Sequence, residues 1–451
     1  GGFPRYCVDP AWDVPHFEKM LYDNAEIPRA LLAGYQVTGE ERYAEVVHET
    51  LDFVDRELGH PDGGFYSTLD AQSQGEGGER EEGAFYTWTP AEVRDAVAAA
   101  GLGGLAADLF CERFGVTESG NFEGTNVLGV AATVEGLAAE SGLDESEVEA
   151  RLEDARHALF EAREGRPRPP RDEKVLAGWN GLLISTFAEA GIVLDQRYAE
   201  RGVEALEFVR EHLWDGKRLW RRFRDGDVGV PGSLQDYAFL ARAALDCYQA
   251  TGDVEHLAFA LDLARVVEAE FWDADGGALY LTPQSGESLL ARPQELSDQS
   301  TPSSAGVTVD TLLALSHFTP ENGYEGIADA ALSTYGSRIE SNPLQHAALT
   351  LAADRREVGS TELTVVSDSQ PEVWREAIGG TYLPNRLLSV RPRDLDPWLD
   401  RLGLEEAPPI WAGREAEGDE PTVYACRAWT CSPPETDVEA ALEWVGNPTG
   451  R

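Results

Sequence analysis

Two remote stretches of this chain can be laid over one another. Arg42-Tyr43-Ala44-Glu45 runs on to Leu51-Asp52-Phe53-Val54, and Arg197-Tyr198-Ala199-Glu200 runs on to Leu206-Glu207-Phe208-Val209. A third copy spans His256 to Phe271. Thr38-Gly39-Glu40 recurs as Thr251-Gly252-Asp253 where two helical patterns meet, a glycine stop followed by an acidic start. Each unit therefore reads as helix, short turn, helix. Such hairpins bury their apolar faces only by stacking, as an open solenoid or a closed ring. Gly-rich aromatic stretches follow the units: Gly63-Gly64-Phe65-Tyr66-Ser67-Thr68, Gly216-Lys217-Arg218-Leu219-Trp220 and Gly276-Gly277-Ala278-Leu279-Tyr280. They are expected as short β-hairpins or extended loops. Gly1-Gly2-Phe3-Pro4-Arg5-Tyr6 carries the same signal. The length of these loops favours closure, so the expected fold is mainly α, an α/α toroid of helical hairpins.

The toroid is expected over 1–358, with a less regular insertion at 81–170. The insertion has helical patterns at 90–100, 105–114 and 144–163, and the run Arg166-Pro167-Arg168-Pro169-Pro170 ends it. From about residue 359 the period changes. Glu362 to Ser367, Leu387 to Arg391 and Val423 to Arg427 read as strands, with helices at 370–378 and 436–445, so a small α/β lobe over 359–451 closes the chain. Inside the first helix Pro28 predicts a kink or restart after Ile27, since an interior proline costs about 3 kcal/mol.

With 42% hydrophobic residues, 451 positions are ample for a large core, and 11 Trp, 14 Tyr and 16 Phe argue against disorder. The net charge of −44, spread along the chain, repels nucleic acid and anionic membranes. Only three lysines accompany it, a balance expected of a halophile's cytoplasmic protein, in which salt screens self-repulsion over about 3 Å at 1 M. No apolar run of about 18 residues and no basic-then-apolar leader occurs in the visible sequence. Met20 is the sole methionine, so the chain reads as a fragment. Cys7, Cys111, Cys247, Cys426 and Cys431 are an odd, widely spaced set without Cys-x-x-Cys. No metal or other cofactor is expected from this pattern, and Cys426 and Cys431, close enough in sequence to form a pair, are expected as two reduced thiols near a strand end.

Four polar clusters fall at equivalent places, near the start of a unit's leading helix: His16 to Asn24, Glu173 to Gly181, Ser233 to Tyr237 and Asp298 to Gly306. In a ring of hairpins they share one rim, and convergent polar groups in a concavity mark a site for a small molecule. His16, Glu18, Asp70 and Asp236 are the candidate acid and base groups. Lys19, Tyr22, Asp23, Glu82, Trp88, Lys174, Trp179, Asn180, Tyr237, Asp298 and Ser303 are the candidate binding groups. His16 titrates near neutrality, and burial beside Phe17 would raise the Glu18 pKa. Asp70, Glu81 and Glu82 near Gly83-Ala84-Phe85-Tyr86-Thr87-Trp88 suit a sugar, whose apolar face stacks on rings while acids bind hydroxyls or move protons. Structural readings stand beside these. Ser233 with Asp236 fits a capping box and Ser303 an N-cap, Lys19 could pair with Asp23 at i, i+4 for about 0.3 kcal/mol, and Trp179 could be core.

The run Val14-Pro15-His16-Phe17-Glu18-Lys19-Met20-Leu21-Tyr22-Asp23-Asn24-Ala25 resembles the thioredoxin-domain proteins related to spermatogenesis-associated protein 20. The resemblance extends through 63–70, 82–88, Lys174-Val175-Leu176-Ala177-Gly178-Trp179-Asn180-Gly181-Leu182, Asp236-Tyr237-Ala238 and the tail around Tyr424 to Pro433. It implies an N-terminal thioredoxin-like domain, absent here and a partner in cis, followed by a toroid similar to N-acylglucosamine 2-epimerases and six-hairpin glycosidases. Departures from the family pattern are Gln72 in place of a second carboxylate in Asp70-Ala71-Gln72-Ser73, Cys7 in place of serine, and Ala305 near a usual asparagine.

Two classes of function follow. A carbohydrate-active enzyme would use His16 or Glu18 as an isomerase or epimerase base, or would hydrolyse with two carboxyls about 5 to 9.5 Å apart drawn from Glu18, Asp70, Glu82 and Asp236. The alternative is a non-catalytic module that binds a ligand or partner for the thioredoxin-like domain.

Overall fold

The computed structural model describes residues 1–446 apart from 76, 288–289, 320–322, 419 and 428–429. In chain order the elements begin β1 (Lys19–Met20), α1 (Asp23–Thr38), α2 (Glu41–Leu58), β2 (Thr68–Leu69), β3 (Gln72–Gln74), β4 (Arg80–Glu82), α3 (Pro90–Ala99), α4 (Gly104–Arg113), α5 (Val134–Ser141), α6 (Glu145–Glu164), β5 (Arg171–Asp172) and β6 (Val175–Leu176). They continue with α7 (Ala177–Val193), α8 (Gln196–Leu213), β7 (Trp220–Arg224), β8 (Asp227–Pro231), α9 (Leu234–Thr251), α10 (Val254–Glu270), β9 (Trp272–Asp273), β10 (Ala278–Leu279), α11 (Ser304–Ser316), α12 (Tyr324–Ser341) and α13 (Ala347–Val358). The last are β11 (Thr361–Val366), α14 (Glu372–Gly379), β12 (Arg386–Arg391), α15 (Asp396–Leu402), β13 (Thr422–Arg427), β14 (Thr430–Cys431) and α16 (Val438–Gly446). They fall into two compact units: residues 1–2, 21–67 and 173–451 in one, residues 3–20 and 68–172 in the other.

In the larger unit α1, α7, α9, α11 and α13 pack side by side as an inner layer, and α2, α8, α10 and α12 lie outside them, the layering of an α/α toroid. The sequence of each helix explains its layer. α7 is apolar nearly all round and buried nearly all round, whereas α2 and α8 carry one apolar stripe with charges opposite. Gly39 and Gly252 end α1 and α9 in the left-handed conformation, φ 70° and 76°, as their spacing predicts. Gly181 lets α7 and α9 touch: a Cβ there would lie 2.7 Å from the Phe239 carbonyl carbon. α1 runs through Pro28 as one helix, so it does not restart after Ile27. Proline removes the one helical hydrogen bond to the Asn24 carbonyl, and α1 is packed on α2 and α7, contacts that offset that loss.

The Gly-rich stretches meet expectation unevenly. Gly276 to Tyr280 makes the β9–β10 hairpin, Gly216 to Trp220 leads into the β7–β8 hairpin, and Gly63 to Thr68 leads into β2, which pairs with β1 and β5. Gly1 to Tyr6 forms no strand.

The C-terminal lobe lies within the larger unit. Its sheet has the order β12-β11-β13-β14, β11 parallel to β12 and antiparallel to β13. Leu363, Val365, Leu388, Val423 and Ala425 face Ile378, Val438 and Leu442 in one core. Tyr248 of α9 meets β12 at Ser389, its hydroxyl 2.9 Å from Ser389 Oγ. Cys426 and Cys431 stand opposite each other across β13 and β14 and form a disulfide, a correction to the reduced pair expected from composition.

In the smaller unit α3, α4, α5 and α6 pack around Trp88, Val93, Phe110, Leu137, Val148 and Leu159. Pro90 opens α3 behind a Thr89–Glu92 capping box. α5 escaped the sequence reading because eight residues show barely two turns of period.

Candidate functional site

In the smaller unit the ring of His16 stacks on Tyr6 at 4.6 Å, and its Nδ1, shielded from solvent and 3.9 Å from Glu18 Oε2, has no hydrogen-bond partner among the described residues. Glu18 is not isolated beside Phe17, because Arg5 Nη1 donates to its Oε2 at 3.1 Å. Lys19 lies in a strand, so helical i, i+4 spacing to Asp23 does not apply. Its Nζ sits 4.9 Å from the Tyr86 ring centroid, and Phe17 stacks on that same ring. Asp70 accepts from Arg80 Nη2 at 2.6 Å and from the Gln72 amide, on an exposed turn. Glu82 and Gln72 are exposed partners in the β3–β4 ladder. Trp88 belongs to the core, with Arg166 stacked on it at 3.9 Å.

In the larger unit most predicted residues join helix starts. Asp236 is 1% exposed. Its Oδ1 accepts from the Gly178 amide at 3.1 Å, and its Oδ2 accepts from Ser233 N and Oγ and from Arg221 Nη1, at 2.9 to 3.0 Å. It thereby ties the first turn of α9 to that of α7. Asp298 does the same for α11 and α13, accepting from the Ser303 and Ala348 amides at 2.6 and 3.0 Å. Ser303 caps α11 through the Gly306 amide. Asn180 accepts from the Phe65 amide and donates to the Phe65 and Leu176 carbonyls. The Tyr237 hydroxyl accepts from the Leu219 amide, and burial pushes its pKa up. Of the two readings open in the sequence for Asp236 and Ser303, the structure supplies the capping contacts. Tyr22 is buried edge-on to a half-buried Trp179 at 4.8 Å, Asp23 opens α1, and Lys174 is half-buried just before β6.

Deeper along the same inner helices lies a cavity of about 410 Å³. Glu26 and Arg29 of α1, Glu189 of α7, Arg242 and Asp246 of α9, Asp310 of α11, Arg355 of α13 and Arg386 of β12 line it. Arg242 Nε donates to both Asp246 oxygens at 3.1 Å, and its Nη1 donates to Asp310 Oδ2 at 2.5 Å. Arg355 Nε donates to the other Asp310 oxygen, and Arg386 Nη2 to Glu189. Burial works against charge on Asp310, yet Arg355 and Arg242 outweigh it and hold the carboxyl at about 2. Glu26 goes the other way. Burial raises its pKa, Arg29 and Arg242 offset this only in part, and its Oε1, shut off from solvent, finds no hydrogen-bond partner among the described residues.

These cavity residues were missed in the sequence, although a signal was present. Glu189 is the only charged residue in α7 and Asp310 the only one in α11. After Asp236, α9 has only Arg242 and Asp246, one turn apart. Lone charges in otherwise apolar helices are held by partners or used in chemistry. Among the described residues no group of three or more His, Cys, Asp and Glu is placed to hold a metal ion, and no helix is long and apolar enough to cross a membrane.

Over 97% of its length the chain is 33% identical to human spermatogenesis-associated protein 20, and it is 32% identical to the mouse protein over the same share. It is similar to these proteins and spans 59% and 58% of their lengths. No family model matches the sequence. Among solved structures it is similar to cellobiose 2-epimerase from Bacillus thermoamylovorans, with 10% identity, a TM-score of 0.41, and coverage of 80% of this chain and 68% of that one. It is also similar to a D-mannose isomerase, with 13% identity, a TM-score of 0.37, and coverage of 75% and 81%.

Proposed function

We propose that the larger unit is a carbohydrate-active isomerase whose ligand enters the inner-helix cavity and whose proton carrier is Glu26. The observation that supports this reading is the state of Glu26, a shielded carboxyl without a hydrogen-bond partner among the described residues, on the wall of a cavity lined by guanidiniums, carboxylates and amides. A volume of about 410 Å³ suits a sugar, whose hydroxyls pair with such groups. A carboxyl whose pKa is raised toward the working pH is a better base for a proton beside a carbonyl. In this reading Glu26 takes the proton from the carbon next to the open-chain sugar carbonyl. The C–H pair becomes the enediolate double bond and the carbonyl π pair moves onto oxygen; the hydroxyl proton of the deprotonated carbon passes to that oxygen, the deprotonated carbon becomes the new carbonyl, and Glu26 returns its proton to the former carbonyl carbon. Arg242, held in its charged form by Asp246 and Asp310 against the cost of burial, offsets the negative charge that develops.

Hydrolysis has less support, because it needs two carboxyls free to act, and Glu189, Asp246 and Asp310 are each held by arginine. His16, with its shielded Nδ1, stands as the second candidate proton carrier, in the smaller unit. The test is NMR-detected exchange of the C2 proton of aldohexoses in heavy water. Exchange by the wild type and its loss in Glu26→Gln are expected. No exchange with any aldose or ketose would sink the isomerase reading, and sugar binding without exchange would support the non-catalytic one.

A further inference from the structure

The cavity wall holds four guanidiniums against four carboxyls, in a chain whose acids outnumber its bases 81 to 37. Such a local excess of arginine over the chain-wide balance calls for a partner of negative charge. Three of the four arginines have one inside the protein. Arg242 is shared between Asp246 and Asp310, Arg355 is bound to Asp310 and also donates to Ser360 Oγ and the Asn385 carbonyl, and Arg386 is bound to Glu189.

Arg29 differs. Among the described residues its one ion pair is with Asp246 at 3.8 Å, beyond hydrogen-bond distance, and both oxygens of Asp246 already accept from Arg242. Its side chain keeps 30% of its surface exposed on the cavity wall. A guanidinium presents five donors in a planar fork that fits a carboxylate or a phosphate through two parallel hydrogen bonds. Of the other carboxyls that feel its charge, Asp310 is already bound to Arg242 and Arg355, and Glu26, three residues earlier on α1, is one whose charged form burial disfavours. Most of the positive charge of Arg29 is therefore left for a ligand.

We propose that the cavity ligand carries an anionic group, a carboxylate or a phosphate ester, and that Arg29 receives it. This rests on the reading of the cavity as a sugar site and adds the class of sugar: an acidic or phosphorylated one. Placing the anion on Arg29 sets the rest of the ligand within a helical turn of Glu26.

The experiment is calorimetric titration of the whole chain with glucose, glucuronate and glucose 6-phosphate, on wild type, Arg29→Gln and Arg29→Lys, each variant checked by thermal melt. Wild type is expected to bind at least one acidic sugar ten-fold or more tightly than glucose, and the tighter of the two identifies the anion as carboxylate or phosphate. In R29Q that ratio is expected to fall toward one, and in R29K, which keeps the charge but loses the fork, to an intermediate value. R29K carries the test should R29Q fail to fold. Equal wild-type affinity for all three sugars, or an acidic preference unchanged in both variants, would overturn the proposal and leave the sugar site standing. No binding of any of the three would overturn both.

Discussion

Arg355 of α13 donates from Nε to Asp310 Oδ1 of α11 at 2.5 Å, a bond between helices that begin more than forty positions apart in the chain. Arg242 of α9 takes the other Asp310 oxygen, so three inner helices are joined through one carboxylate. Removing one member of a buried charge network costs more than the network contributes as a whole, because the remaining charges stay buried and lose compensation.

Asp310→Asn is therefore expected to lower stability by about 3 kcal/mol or more, read from urea denaturation. A loss under about 1 kcal/mol would mean that the two arginines find solvent or other partners.

The same residue sets a pH dependence. Its folded pKa of about 2 lies below the ordinary 3.8, so its contribution is present above the ordinary value and is lost as pH falls through about 2. The difference in stability between wild type and D310N is expected to shrink by about 2 kcal/mol between pH 5 and pH 2. A difference that stays constant with pH would contradict the pairing.

Glu26 has the opposite sign. Its pKa is raised by burial, so ionisation destabilises the fold as pH rises through the folded value. Glu26→Gln is expected to be at least as stable as wild type at pH 8, with the wild type gaining on it at pH 5. Denaturation at the two pH values measures this, and a variant that is less stable at pH 8 would show that the carboxylate has a stabilising partner.

Asp236→Ala removes a helix cap together with the tie to Gly178, and is expected to cost about 2 to 4 kcal/mol. Loss of catalysis in D236N at unchanged melting temperature would instead assign Asp236 to the chemistry.

Gly181→Ala brings a methyl group against the backbone of Phe239 and Leu240 at 2.7 to 2.8 Å, where no rotamer can give way. A loss of about 1 to 3 kcal/mol is expected in thermal or chemical denaturation. Unchanged stability would mean that α7 and α9 move apart freely.

Local pattern was enough to read the hairpins, the glycine stops at Gly39 and Gly252, the three longer strands of the C-terminal sheet and three of the four helices of the smaller unit. Each is settled within about twenty residues by periodicity and backbone freedom, and both are visible in one dimension. The starts of the inner helices were also visible as polar clusters, but their work was not. Asp236 and Asp298 reach amides of other helices, and whether such a carboxylate caps, binds or reacts depends on what the neighbouring helix presents. The meeting of Glu26, Arg29, Arg242 and Asp310 was beyond local reading altogether. A lone acid in an apolar helix, such as Asp310 in α11, signals that a partner or a use exists, but not which side chain it meets. Only the packing of α1, α9 and α11 removes these few side chains from water and makes their charges matter to one another.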